Sequence, residues 1–261
     1  MNALKNILRS KWVLVSALVI TALLLSWQAA SLTSSGCHAK LFLVGSSVCH
    51  QIPSHSFITD GLQFPVCARC TGLYLGAFIG LTAGFSYGRR KGIPNRYLIG
   101  LLATLFLLWS GDGLNSFISD FLGRPFLYST TNMTRLITGY GMGLVMAAAL
   151  VTLFNNTAWD SAYERPVLES GWQVLAYAGL SALSSLLVLL PVKLLLQIGS
   201  VIAVATILVI ISLLYAIFWM IILKKENSFS KISDLTVIFL LGFCTAMLQI
   251  LFFVNLRSFI F

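Results

Sequence analysis

The sequence predicts an all-α, polytopic transmembrane helix bundle of about seven spans, and three observations predict it. Of 261 residues, 58% are hydrophobic and 10% are charged, where a soluble domain carries roughly 25% charged residues. The apolar residues gather into about seven runs, each near the ~20 residues that cross a bilayer as a helix. The basic residues behind a formal net charge of +9 sit in short clusters between those runs, as orientation signals do. Nucleic-acid binding is excluded on that distribution, and membrane lipid is the expected surrounding phase.

The first run, 12–30, follows Lys5, Arg9 and Lys11. Its length, and the poor small-x-small pattern of Gln28-Ala29-Ala30, read as a retained anchor and not a cleaved signal. A polar segment, 31–69, leads to the second span, 70–87. Gly72, Gly76, Gly80, Gly84 and Gly88 stand at every fourth position there, a side-chain-free stripe along which another helix backbone can approach closely. Arg89, Arg90, Lys91 and Arg96 surround the helix stop Gly92-Ile93-Pro94.

The third span, 97–117, ends in the polar stretch Ser110-Gly111-Asp112-Gly113-Leu114-Asn115. The fourth, 133–154, opens beside Asn132 and Arg135, and Gly139 and Gly143 continue the face of Arg135. That face is expected to meet the glycine stripe of the second span. A charged loop with Asp160, Glu164, Arg165 and Glu169 precedes the fifth span, 172–190, which stops at Pro191. The sixth, 195–223, ends at Lys224 and Lys225, and the seventh is 235–256. These last three, rich in Val, Leu and Ile, read as scaffold within one membrane domain, 1–261.

Lysine and arginine set the orientation. With the N-terminus inside, eleven of the 17 basic residues fall in inner segments (Lys5, Arg9, Lys11, Arg89, Arg90, Lys91, Arg96, Arg165, Lys224, Lys225, Lys231). Six fall outside (Lys40, Arg69, Arg124, Arg135, Lys193, Arg257). The expectation is therefore N-in and C-out, with the polar Cys/His segment on the outer face.

That segment holds the chemistry. Cys49, His50, Cys67 and Cys70 are candidate metal ligands, zinc first, because a Cys-x-x-Cys pair supplies two thiolates from one turn and a second pair closes a tetrahedral shell. Neighbouring side chains on an extended chain point apart, so one of Cys49 and His50 is the weaker ligand, with His55 or His38 as substitutes. Cys37, Cys49, Cys67 and Cys70 are also an even number, which would serve two disulfides in an oxidising location. A third reading is a membrane thiol-disulfide oxidoreductase coupled to a quinone. Cys67-Ala68-Arg69-Cys70 opens a helix, where the dipole and the arginine would favour a thiolate, and Cys49 or Cys37 would shuttle. A transporter calls for an ionisable residue or broken helix near mid-membrane, whereas Pro191 with Lys193 reads as a span boundary. Cys244, alone in an apolar run, reads as a small buried hydrophobe.

Asp112 with Asn115, and Asn132 with Arg135, are each three residues apart and share a helix face. An acid near the bilayer boundary needs a partner or water. The bland expectation is an Asp112–Arg135 ion pair that fixes two helices. The functional ones are headgroup recognition, and general-base work by Asp112 on a metal-polarised substrate. These four are the candidate catalytic residues. A four-ligand metal would be structural and leave them to act on a lipid or small amphiphile; a three-ligand metal would activate water.

These motifs resemble a family of predicted prokaryotic membrane proteins, the domain of unknown function 2085. Its pattern is matched by Cys49-His50-Gln51-Ile52-Pro53, by Cys67-Ala68-Arg69-Cys70-Thr71-Gly72-Leu73-Tyr74, by Asp112-Gly113 and by Asn132-Met133-Thr134-Arg135. The resemblance covers about 49–143, leaving Cys37, His38 and the last three spans outside, and the family often has arginine where this chain has His55. It implies a multi-span protein of a prokaryotic cytoplasmic membrane with a shared Cys/His site, and supplies no reaction.

Overall fold

A computed structural model of the chain describes residues 11–31 and 36–260. Lys5 and Arg9, used above for orientation, lie outside the described residues, as do residues 32–35 of the polar segment. Eight α-helices carry the described fold: α1 (Lys11–Ser31), α2 (Cys37–Ser46), α3 (Ala68–Ser86), α4 (Arg96–Leu122), α5 (Asn132–Ala158), α6 (Gly171–Leu189), α7 (Lys193–Ile222) and α8 (Thr236–Ile260). The all-α reading holds. Five helical stretches, α4 to α7 and the one ending in α8, are long and apolar enough to cross a membrane. Among the described side chains of α1 the apolar stretch is the shorter Leu14–Ala29. Helix α3, 19 residues with Arg69 and a row of glycines, owes less to hydrophobicity than to enclosure by α5, α6 and α7.

The connections between the long helices collect at two ends. At one end β3 (Arg90–Gly92) pairs in parallel with β4 (Tyr163–Pro166). Asn155 Nδ2 donates to the Arg90 carbonyl, and Arg90 and Lys91 pair with Glu169 and Glu164. At the other end lie the polar segment and the α4–α5 connection. The polar segment contains a short hairpin, β1 (Ile58–Thr59) with β2 (Leu62–Gln63). Its turn residues, Asp60 and Gly61, both take positive φ (49° and 75°), the conformation that matches the twist of a two-residue hairpin.

The centre of the bundle is the α3–α5 contact, where main chain touches main chain. A Cβ on Gly72 would collide with the Leu136 carbonyl oxygen, one on Gly139 with the Arg69 carbonyl oxygen, and one on Gly143 would lie 2.6 Å from Ala77 N. Glycine on both helices is what allows this approach, as expected for the stripe. Gly88 is the exception. Helix α3 ends at Ser86, and Gly88 sits in the following turn at φ 83°, where freedom from a Cβ serves the chain reversal and not helix packing. Phe64 and Val66 of the polar segment pack with Leu136, Ala203 and Ile207 as an apolar bed that also takes in Cys49 and Cys67.

Two substitutions test the contact. Gly143→Leu forces a side chain into backbone and lowers the unfolding midpoint in detergent, at a cost of at least ~1–3 kcal/mol from overpacking. Gly100→Leu, where an added Cβ meets nothing within 4 Å, leaves the midpoint within experimental scatter.

Candidate metal centre

Three cysteines from separate parts of the chain meet at the polar end of the bundle. Cys49 follows α2, Cys67 caps the N-terminus of α3, and Cys70 lies in the first turn of that helix. Their three Sγ atoms all lie within 4.8 Å of one another. Zinc–sulfur bonds of ~2.3 Å set sulfur–sulfur separations of roughly 3.8 Å in a tetrahedron, so the donor set fits such an ion after small shifts. All five cysteines are free thiols. Cys37 is exposed and, like His38, stands outside the cluster.

His50 stands at its edge, with Nδ1 3.8 Å from Cys49 Sγ. Hydrogen bonds to the Cys49 and Cys67 sulfurs raise its pKa to about 10. Hydrogen bonds from Cys49 and Cys70 hold the Cys67 thiol far below the usual range, against the opposing effect of burial. The Cys67 backbone N–H also donates to Cys49 Sγ at 3.1 Å. The Cys67 thiolate, held by its neighbours' hydrogen bonds, is the charge that the His50 proton answers, and it would equally draw a soft cation.

The loop is held in shape by amides that have no direct contact with the sulfurs. Gln51 Nε2 donates to the carbonyls of Phe42 and Pro65, each at 2.7 Å, and Gln63 Nε2 donates to the Gln51 carbonyl at 2.8 Å. Gln51 itself adopts φ 57°, a left-handed conformation that costs about 1–3 kcal/mol for a residue with a Cβ. The buried amide bonds outweigh that strain and set the turn that leaves His50 Nδ1 beside Cys49 Sγ, at the edge of the three-sulfur group. Arg257 on α8 closes the other side. Its Nη1 donates to the carbonyls of Ser46 and Cys49 (3.2 and 2.7 Å), and its Nη2 to that of His50 at 3.0 Å. Arg257 was readable from sequence only as an outer positive charge, because a guanidinium that binds carbonyls leaves no partner motif.

The four polar candidates divide into separate groups. Asp112, 3% exposed, pairs not with Arg135 but with Arg69, whose Nε and Nη2 both donate to Oδ2, at 3.1 and 2.5 Å. Tyr128 donates to Oδ1 at 2.7 Å, and burial together with that bond pushes the Tyr128 pKa up to about 12. The expected Asp112–Arg135 pair therefore does not form. Arg69 reaches the carboxylate from α3, while the Arg135 guanidinium lies one helical turn further along α4, donating to Ser116 Oγ at 2.9 Å and to Asn132 Oδ1 at 3.0 Å. Asn115 braces the α4–α5 connection. It accepts from Leu127 N and donates to the Tyr128 carbonyl and to Thr130 Oγ1. Asn132 Nδ2 reaches the carbonyls of Ser54 and Ser56.

A chain of side chains joins the two regions. His50 Nε2 is 3.5 Å from His55 Nδ1, and His55 Nε2 is 3.5 Å from Asp120 Oδ1. Burial and the nearby Arg135 charge lower the His55 pKa.

These features define a class: a bundle of apolar helices of membrane-crossing length that carries at one end a three-cysteine cluster able to hold a metal ion. The chain belongs to the family described as "Predicted membrane protein (DUF2085)", whose model matches residues 49–149. An uncharacterized protein of Methanothermobacter thermautotrophicus is 33% identical over 100 residues, 38% of this chain and 81% of the relative. An uncharacterized protein of Methanocaldococcus jannaschii is 31% identical over 118 residues, 44% of this chain and 68% of the relative. No solved structure matches the chain.

Arg69→Met strands the buried Asp112 carboxylate and destabilises the protein by about 3–5 kcal/mol, whereas the double variant Arg69→Met/Asp112→Leu recovers most of that loss. Chemical denaturation of the three proteins in one detergent measures both values.

Proposed function

We propose that this chain is an integral protein of a prokaryotic cytoplasmic membrane. In this reading it has about seven spans, N-terminus inside, and a zinc centre on the outer face beside a polar pocket that receives a lipid or small amphiphile. The observation that carries the reading is the meeting of Cys49, Cys67 and Cys70 within 4.8 Å, with His50 beside them. Four thiolate and imidazole donors are what tetrahedral zinc takes, and a closed shell of this kind is structural. Zinc there would pin the Cys49–His50 loop to the first turn of α3.

The chemistry would then fall to the polar side chains. Arg135 lines the pocket and Asn132 accepts from its guanidinium, while Asp112 acts by holding Arg69 and Tyr128, and Asn115 by holding the α4–α5 connection in place. Arg69 is engaged by Asp112, so the arginine expected to activate Cys67 or Cys70 is committed elsewhere, and a donor set of three thiols with His50 beside them favours metal over a redox pair.

Purified protein carries roughly one zinc per chain and reacts as free thiols only after metal removal, and Cys67→Ser purifies without metal. Metal-free protein with cysteines protected as disulfides would overturn the reading. Sidedness has its own check: the exposed Cys37 is labelled by a membrane-impermeant maleimide on intact cells. Labelling only after permeabilisation puts the loop inside.

A further inference from the structure

A cavity of about 440 Å³ opens between the C-terminal turns of α4, the α4–α5 connection and the start of α5. Its polar wall is formed by Ser116, Ser119, Arg124, Ser129, Thr130 and Arg135, with Asp120 at one side. Arg135 is 6% exposed, yet its Nε has no hydrogen-bond partner. A buried guanidinium N–H left unpaired is costly; the residue lines the cavity, with its Nε covered beneath the wall.

Three hydroxyls on the wall are already committed as acceptors. Ser116 Oγ accepts from Arg135, Ser119 Oγ from the Phe126 backbone N–H, and Thr130 Oγ1 from Asn115. Each keeps its own O–H proton, and none donates to another group among the described residues. The Arg124 guanidinium likewise makes no hydrogen bond or ion pair among them. The wall thus offers donors and few acceptors. Two arginines against Asp120, which has His55 as its partner, leave a positive excess, and the N-terminal end of α5 adds its dipole. Donor-rich, cationic and concave is the complement of a tetrahedral oxyanion.

We infer that this cavity binds a phosphoryl group, free or carried on a lipid headgroup, through Arg124, Arg135 and the hydroxyls of Ser116, Ser119 and Thr130. This rests on the reading of the polar pocket given above and names the charged part of its ligand. Arg135 supplies charge from the wall, Arg124 supplies a guanidinium with no other partner among the described residues, and Asp120 with His55 borders the ligand on the side facing the cysteine cluster.

The test uses the full chain in detergent, with equilibrium dialysis against radiolabelled inorganic phosphate and native mass spectrometry in micelles doped with phosphatidic acid or diacylglycerol. Wild type retains phosphate, or prefers phosphatidic acid to diacylglycerol; the first result assigns a free anion and the second a headgroup. Arg124→Gln, on the exposed connection, weakens that binding about tenfold or more with an unchanged unfolding midpoint, the loss of one charge-assisted contact. Arg135→Lys weakens it as well, and if that variant fails to fold, Arg124→Gln carries the comparison alone. No retention of phosphate in either form, or equal retention by wild type and Arg124→Gln, overturns the inference. Metal content is measured on the same samples. Phosphate binding without metal sinks the zinc reading alone, and metal without phosphate binding sinks this one.

Discussion

The contact of α3 with α5 is backbone against backbone, and everything at the polar end of the molecule inherits its geometry. Because Gly72 lies on the Leu136 carbonyl and Gly139 on that of Arg69, the first turn of α3 and the first turns of α5 are held at the closest separation two helices can reach. Cys67, Arg69 and Cys70 stand on one of those turns and Arg135 on the other. A β-carbon at either glycine would push the turns apart and spread the thiols, the guanidiniums and the cavity wall together.

That closeness also decides how charge is distributed. Arg69, its backbone trapped under Gly139, sends its side chain across to α4 and takes Asp112 with three hydrogen bonds. A buried ion pair of this kind gains little over apolar packing in stability, since desolvation offsets the attraction. What it fixes is the angle between α3 and α4, and through Tyr128 the path of the α4–α5 connection. With the acid engaged by Arg69, Arg135 is left to neutral partners, Ser116 and Asn132, and keeps positive charge at the edge of the cavity.

Helix type and approximate extent were legible because apolar runs and their stops are local signals: Asn95 and Thr131 cap α4 and α5 just where polarity changes. The glycine stripe was legible for the same reason, although Gly88 shows that a repeat can run past the helix that uses it. The convergence of Cys49, Cys67 and Cys70 was readable from residue type. Partners across the bundle were not. Helical spacing puts Asp112 and Arg135 on the contact faces of their helices, but the azimuth between helices, which spacing does not contain, gives the acid to Arg69. Gln51, Gln63 and Arg257 bind main-chain carbonyls, and carbonyls are the same in every sequence. His55 and Asp120 meet through a tertiary contact between a loop and a helix end that no local pattern links.

Arg257 has a consequence for how the molecule is made. It seals the cysteine loop by donating to the Cys49 carbonyl across 208 residues of chain. At a synthesis rate of ~5–20 residues per second, the loop leaves the ribosome about 10 to 40 s ahead of the arginine that shuts it. During that interval the loop has its Gln51 and Gln63 contacts but is still open on the side that Arg257 covers. The order of synthesis therefore leaves the cysteine loop open on one side until α8 is in place.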